Sequence, residues 1–222
     1  MSTLETVRKE IFDLTSQLVE VGLSSDQNFP STKIYTGEKE QVTELSISRA
    51  DEISFALRER PYAEIYASLR ERRAFNILMI DGAMVQLRYR FRGNALMKHV
   101  LAFYPSRDLL EYQNDPDLYE LDLVYADVVS KGIVTSPIRF DFDEESFQEF
   151  THPKSHFTIG QYKNCRIPVS NALTPYRFIH FILRAFYNTP FLAYCSSWRG
   201  SAIDFPGTAT AQERADLHLG WG

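Results

Sequence analysis

The run "FNILMIDGAMVQLRYRFRGNALMKHVLAFYP", residues 75–105, constrains the fold more than any other part of the chain. Two β-rich segments meet at Asp81-Gly82, and Asp-Gly between apolar runs is the strongest short-range hairpin signal. A second turn at Gly93-Asn94 leads into a third segment, so residues 75–104 are expected to form a three-stranded antiparallel meander. Side chains alternate across a strand. Leu87, Tyr89 and Phe91 are therefore expected to face a core, with Arg88, Arg90 and Arg92 on the opposite face. A two-residue turn at Gly93-Asn94 would set Arg88 across from His99 and Tyr89 across from Lys98.

Helical spacing flanks this centre. Leu4, Val7, Ile11, Leu14, Leu18 and Val21 recur at helical intervals, with Ser2 and Glu5 as a capping box and Gly22 as the stop. Residues 24–39 are polar and contain Pro30 and Gly37, which reads as a loop. "QVTELSIS" reads as a short strand, "ADEISFALRE" (residues 50–59) as a helical segment, and Pro61 as the first turn of another helix. Strands are expected at 118–129 and in "PIRFDF", followed by a hairpin in "HFTIGQYKNCRIPVS" that turns at 162–164. Thr174 is a natural N-cap and Pro175 a natural first residue for a late amphipathic helix. Its apolar face would be Phe178, Ile179, Ile182, Leu183 and Phe186. No internal repeat or linker is visible. The expected fold class is α+β: one domain over residues 1–222, with a central antiparallel sheet and the N-terminal and late helices packed on it. Residues 190–222 would be a docked or partly ordered tail.

Composition narrows the function classes. The net charge of −5 disfavours bulk electrostatic coating of nucleic acid, although basic residues concentrate between 58 and 98. Acids gather at 107–122 and 140–150. No apolar run approaches about 18 residues, so no membrane span is expected. The first residues lack the continuous apolar stretch of a signal peptide. Two cysteines do not make a disulfide framework, and a reducing, cytoplasmic location is expected.

The stretch "THPKSHFTIG" carries the sharpest chemistry. His152 and His156 in one extended strand would stand roughly 13 Å apart, at about 3.3 Å per residue. That is too far for one metal ion, and no metal-ligand spacing accompanies them. Were Pro153 to turn the chain, the imidazoles could trade protons about an RNA phosphate, with Lys154, Arg88 and Arg166 as cations. His99 would assist from the meander. Arg177, His180 and Arg184 form a stripe on the last helix that would bind phosphate or an acidic partner. The plainer account is that these charges are solvated faces and the histidines packed ones. Asp141, Asp143, Glu144 and Glu145 suggest magnesium chemistry, yet no P-loop or glycine-rich phosphate cradle accompanies them. No metal and no cofactor is expected.

"HPKSHFTIG", "NCRIPVS" and "LTPYRFIHFILRAFY" together resemble the bacterial domain of unknown function family 2290. The resemblance spans most of the chain and carries no established activity. It implies a setting among bacterial antiviral defence or mobile-element genes. A weaker architectural likeness is to small toxins of toxin–antitoxin modules. Two readings follow. In one, the chain is a non-catalytic or accessory subunit that binds a protein partner from the same gene cluster, or RNA or DNA. In the other, it is a metal-independent, toxin-like ribonuclease using the histidine pair.

Overall fold

Ser2 and Gly22 bracket the first helix. In the computed structural model of the chain, which describes residues 2–36, 41–47, 60–106, 136–162 and 164–221, α1 spans Thr3–Glu20. Ser2 Oγ accepts from Glu5 N at 3.3 Å. Only the serine half of the expected capping box forms, because the Glu5 carboxylate accepts from Arg8 instead, at 2.7 Å. Gly22 takes φ +76°, where a Cβ would be strained, and Leu23 N then donates to Leu18 O at 2.9 Å. Val7, Ile11, Leu14 and Leu18 form the buried stripe.

The sheet holds nine described strands: β1 (Ser24–Gln27), β2 (Ser31–Thr36), β3 (Gln41–Ser46), β4 (Ile77–Met79), β5 (Met84–Arg92), β6 (Ala95–Tyr104), β7 (Ile138–Asp143), β8 (Ser155–Ile159) and β9 (Ile167–Pro168). They form one antiparallel sheet in the order β1-β4-β5-β6-β7-β8-β9, with β3 also paired to β5 and β2 to β3. The fold is therefore mixed α+β. Residues 24–39, expected as a loop, contain β1 and β2. Both lie at the margins of the sheet, where backbone pairing alone holds a polar strand and no apolar alternation is needed. The segments at 50–59, 107–122 and 118–129 lie outside the described residues.

Odd-numbered residues of β5, and those of β6 from His99 onward, face the main core. Val85, Leu87, Tyr89, Phe91, Leu101 and Phe103 are buried with the stripe of α1 and with Phe178, Ile179, Ile182 and Leu183 of α3 (Pro175–Phe186). Thr174 Oγ1 caps α3 by accepting from Arg177 N at 3.2 Å. On the opposite face, α2 (Tyr62–Glu71) covers one end through Ile65 and Leu69 against Met84 and Leu78. Much of the rest of that face is charged. The final segment docks on the core: Phe191, Phe205 and Ala209 are buried. The short helix α4 (Ala211–Ala215) carries the capping box of Thr210 and Glu213.

The β5–β6 register differs from expectation. Arg92 pairs with Ala95 and Phe91 with Leu96, but Arg90 then pairs with Lys98, Tyr89 with His99 and Arg88 with Val100. Met97 is the extra residue of a β-bulge. One inserted residue moves His99 from the arginine face to the face of Tyr89.

Candidate functional site

The charged face is built from strand alternation. Arg88 and Arg90 on β5, Lys98 on β6, Arg139, Asp141 and Asp143 on β7, and His156 on β8 all fall on the same side, as the cross-strand pairs Arg90↔Lys98, Lys98↔Asp143 and Asp141↔His156 require. Glu44 joins them from β3, opposite Arg90.

Most of these charges are consumed within the face. Glu44 is fully buried and accepts from Arg88 at 2.9 and 3.0 Å and from Arg90 at 2.7 and 3.1 Å. Lys98 donates to Asp143 at 2.6 Å, and Arg139 to Asp141 at 2.6 Å. Arg92, exposed at the strand end, stands 3.9 Å from Glu145. Burial alone would raise the Asp141 and Asp143 pKa values. The cations beside them (Arg139 and His156 for Asp141, Lys98 for Asp143) outweigh it, with the Ser146 hydrogen bonds adding to Asp143, so both stay below the usual carboxylate range. Glu44 was absent from the sequence reading. A lone acid in the strand "QVTELSIS" identifies its partners only once β3 is known to pair with β5.

The two histidines of "THPKSH" meet. Gln148 and His152 exchange backbone hydrogen bonds at 2.9 and 2.7 Å, closing a tight loop in which Phe150 takes φ +63°. Pro153 then turns the chain into β8, and its carbonyl accepts from His156 Nδ1 at 2.9 Å. The extended geometry with a roughly 13 Å separation is replaced by an edge-to-face contact, with ring centroids 4.9 Å apart. His156 is 3% exposed, and its Nε2 lies 3.5 Å from Asp141 Oδ2. Both of its nitrogens thus face oxygen atoms that can accept a hydrogen bond. His152 is only half-buried. Burial first, then the charges of His156 and Arg166, push its pKa down against the pull of Asp143 and Asp141. Arg166 donates to Thr151 O at 3.3 Å. Lys154 stands 3.6 Å from Glu144 and lies over the Phe147 ring.

The other sequence candidates lie elsewhere. His99 is 1% exposed and packs between Tyr89 and Phe142, at centroid distances of 5.6 and 5.9 Å. Its Nε2 accepts from Leu173 N at 3.0 Å, while Tyr89 Oη donates to Leu173 O at 2.9 Å. The two side chains grip the peptide that leads into the α3 cap. His99 therefore does not share the arginine face, because the bulge at Met97 turned it inward. On α3, Arg177 stands 3.7 Å from Asp204 and over Trp221. His180 lies between Tyr176 and Phe191, its pKa lowered by burial and by Arg184, which is exposed. The α3 stripe and the histidine pair thus belong to different elements and do not form one cluster of contacts.

Among the described residues, no group of three His, Cys, Asp or Glu side chains is placed to hold a metal ion, and no helix is long and apolar enough to cross a membrane. Burial pushes the Cys195 thiol up to about 11, which disfavours thiolate chemistry at neutral pH. No curated protein and no solved structure matches the chain. A family model matches residues 23–221, nearly the full length, so the chain belongs to the family described as "Uncharacterized conserved protein (DUF2290)".

Proposed function

We propose that the chain is an accessory subunit of a bacterial defence-type or mobile-element-associated system, working in the cytoplasm by docking a protein partner encoded in the same gene cluster. The observation that carries this reading is an aromatic pair outside the core. Phe12 of α1 stacks on Phe29 of the β1–β2 connection at 4.7 Å, although the two are 52% and 43% exposed. Val19, seven residues further along the same side of α1, is also exposed. Exposed rings beside an aliphatic residue are the composition of interface anchors.

A protein fits better than a nucleic acid. Arg88 and Arg90 serve Glu44, Lys98 serves Asp143 and Arg139 serves Asp141, which leaves little uncompensated charge for phosphates. The total charge of −5 points the same way.

Co-expression of the chain with each neighbouring gene product, followed by co-purification, tests this. Wild type is expected to retain one neighbour, and the Phe12→Asp, Phe29→Asp double variant to bind it at least about tenfold more weakly with an unchanged melting temperature. Retention equal to wild type by that variant, or no retained neighbour at all, would refute the reading. Binding that weakens steeply with salt and survives both substitutions would point to nucleic acid instead.

A further inference from the structure

Five histidines occur in the chain, and His152 is distinguished from the others by its surroundings. His99 and His156 are sealed in the fold, His180 is held between rings, and His218 sits on its own turn with Nδ1 3.1 Å from Asp216 O. His152 is half-buried and makes no side-chain hydrogen bond; its Nδ1 is buried without a partner, which leaves Nε2 as the nitrogen open to solvent.

Behind it runs a line of coupled groups. Arg139 holds Asp141 at 2.6 Å, Asp141 faces His156 Nε2 at 3.5 Å, and the His156 ring meets the His152 ring edge to face at 4.9 Å. The Pro153 carbonyl fixes His156 from its other side. His156 therefore cannot rotate away without losing its hydrogen bond to Pro153 O and its contact with Asp141. Burial first, then the charges of His156 and Arg166, hold the His152 pKa below the ordinary imidazole value, against Asp143 and Asp141, which favours the free base on the outer imidazole.

The same neighbourhood supplies a cation and a stacking surface. Arg166 reaches the carbonyl of Thr151, one residue before His152. Phe150, two residues before His152, is 53% exposed. Bases stack on exposed rings of this kind without sequence preference. Because His156 is buried and in ring contact with His152, no phosphate fits between the two imidazoles. The pair does not act as two reacting groups on opposite sides of one phosphorus. A site with one free base and one cation suits a substrate that brings its own nucleophile, already beside the phosphorus.

We propose that His152 is the general base of a site that cleaves RNA by transesterification, with Arg166 on the phosphate and with His156 and Asp141 as positioning residues. His152 Nε2 takes the proton of a 2′-hydroxyl, and the 2′-oxygen forms a bond to the adjacent phosphorus. The P–O5′ bond breaks, its electron pair stays on the 5′-oxygen, and that oxygen takes a proton from water. The imidazolium returns its proton to the hydroxide so formed. The products are a 2′,3′-cyclic phosphate and a 5′-hydroxyl end. The reaction does not depend on the partner surface around Phe12.

The test uses the full chain and an end-labelled oligodeoxynucleotide containing one ribonucleotide, in the presence of chelator. Cleavage is expected at the ribonucleotide alone, leaving a cyclic phosphate. His152→Gln should lower the rate at least about 100-fold, the range of a lost general base, and Arg166→Met should lower it while preserving the fold. His156→Gln should move the acid limb of the pH–rate profile to higher pH, because the charge that suppresses protonation of His152 is gone. A residue of purely structural importance would lower the rate without moving that limb. Nitrogen NMR of the imidazole supplies an independent reading, since the base needs its proton on Nδ1 and its lone pair on Nε2. No cleavage by wild type, cleavage by His152→Gln at the wild-type rate, or a ring held wholly as the Nε2–H tautomer would each overturn the assignment.

Discussion

Acid should unfold this protein partly through one side chain far from any surface chemistry. His99 is 1% exposed, and its Nε2 accepts the Leu173 N–H, so the folded state holds it neutral. Burial lowers its pKa from 6.5 to about 4, against smaller opposing effects of Asp141 and the Phe140 backbone. In the unfolded chain the imidazole protonates near 6.5. The sign follows directly: between these values the unfolded state binds more protons, so stability is full above pH 6.5 and falls as pH drops towards about 4. At about 1.4 kcal/mol per pH unit, His99 alone withdraws about 3 kcal/mol by pH 4, a large part of a total of roughly 5–15 kcal/mol.

The perturbation is His99→Gln, which cannot titrate but offers an amide oxygen to Leu173 N. Urea unfolding at pH 7, 6, 5 and 4.5 measures the outcome. Wild type should lose stability steadily across that range. The variant should start lower at pH 7, because a core ring is lost, and then fall more gently. His152 and His180, whose pKa values are also lowered, add to the wild-type slope and remain in the variant. Parallel curves for the two proteins between pH 6.5 and 4.5 would refute the account of His99 as a buried neutral acceptor.

Two further outcomes are expected from the packing. Glu44→Gln neutralises the buried carboxylate that Arg88 and Arg90 share; a loss of roughly 2–4 kcal/mol, or about 2–4 °C of Tm per kcal/mol, should appear in a thermal melt. A Tm within 2 °C of wild type would count against the triad as a stabilising unit. Gly200→Ala places a Cβ 2.6 Å from the Tyr176 ring, which is tied to Trp198 O by its hydroxyl at 3.0 Å. The ring or the loop must shift, at about 1–3 kcal/mol, and urea unfolding should show a lowered midpoint with an unchanged slope.

How far the chain could be read before folding depended on the range of the interaction. Alternation in β5 assigned Leu87, Tyr89 and Phe91 to the core correctly, because the two faces of a strand follow from backbone geometry alone. The ends of α1 and α3 were equally legible: Ser2, Gly22, Thr174 and Pro175 act on backbone groups within a few residues of themselves. Polar β1 and β2 escaped notice because their evidence is the partner strand, about 50 residues away for β1.

The candidate site shows the same division. His152, His156 and Arg166 were visible as residue types in a suggestive stretch, whereas Asp141, Arg139 and Glu44 acquire their roles from strands that pair across long separations. His99 was placed on the wrong face by one residue. The insertion of Met97 into β6 turns every side chain beyond it over, and local spacing contains no record of that. Short-range rules therefore carried the elements, their caps and their inward faces. Register, the closure of the two histidines through Pro153 and the pairing of each buried charge depended on contacts whose energy exists only after distant segments have met.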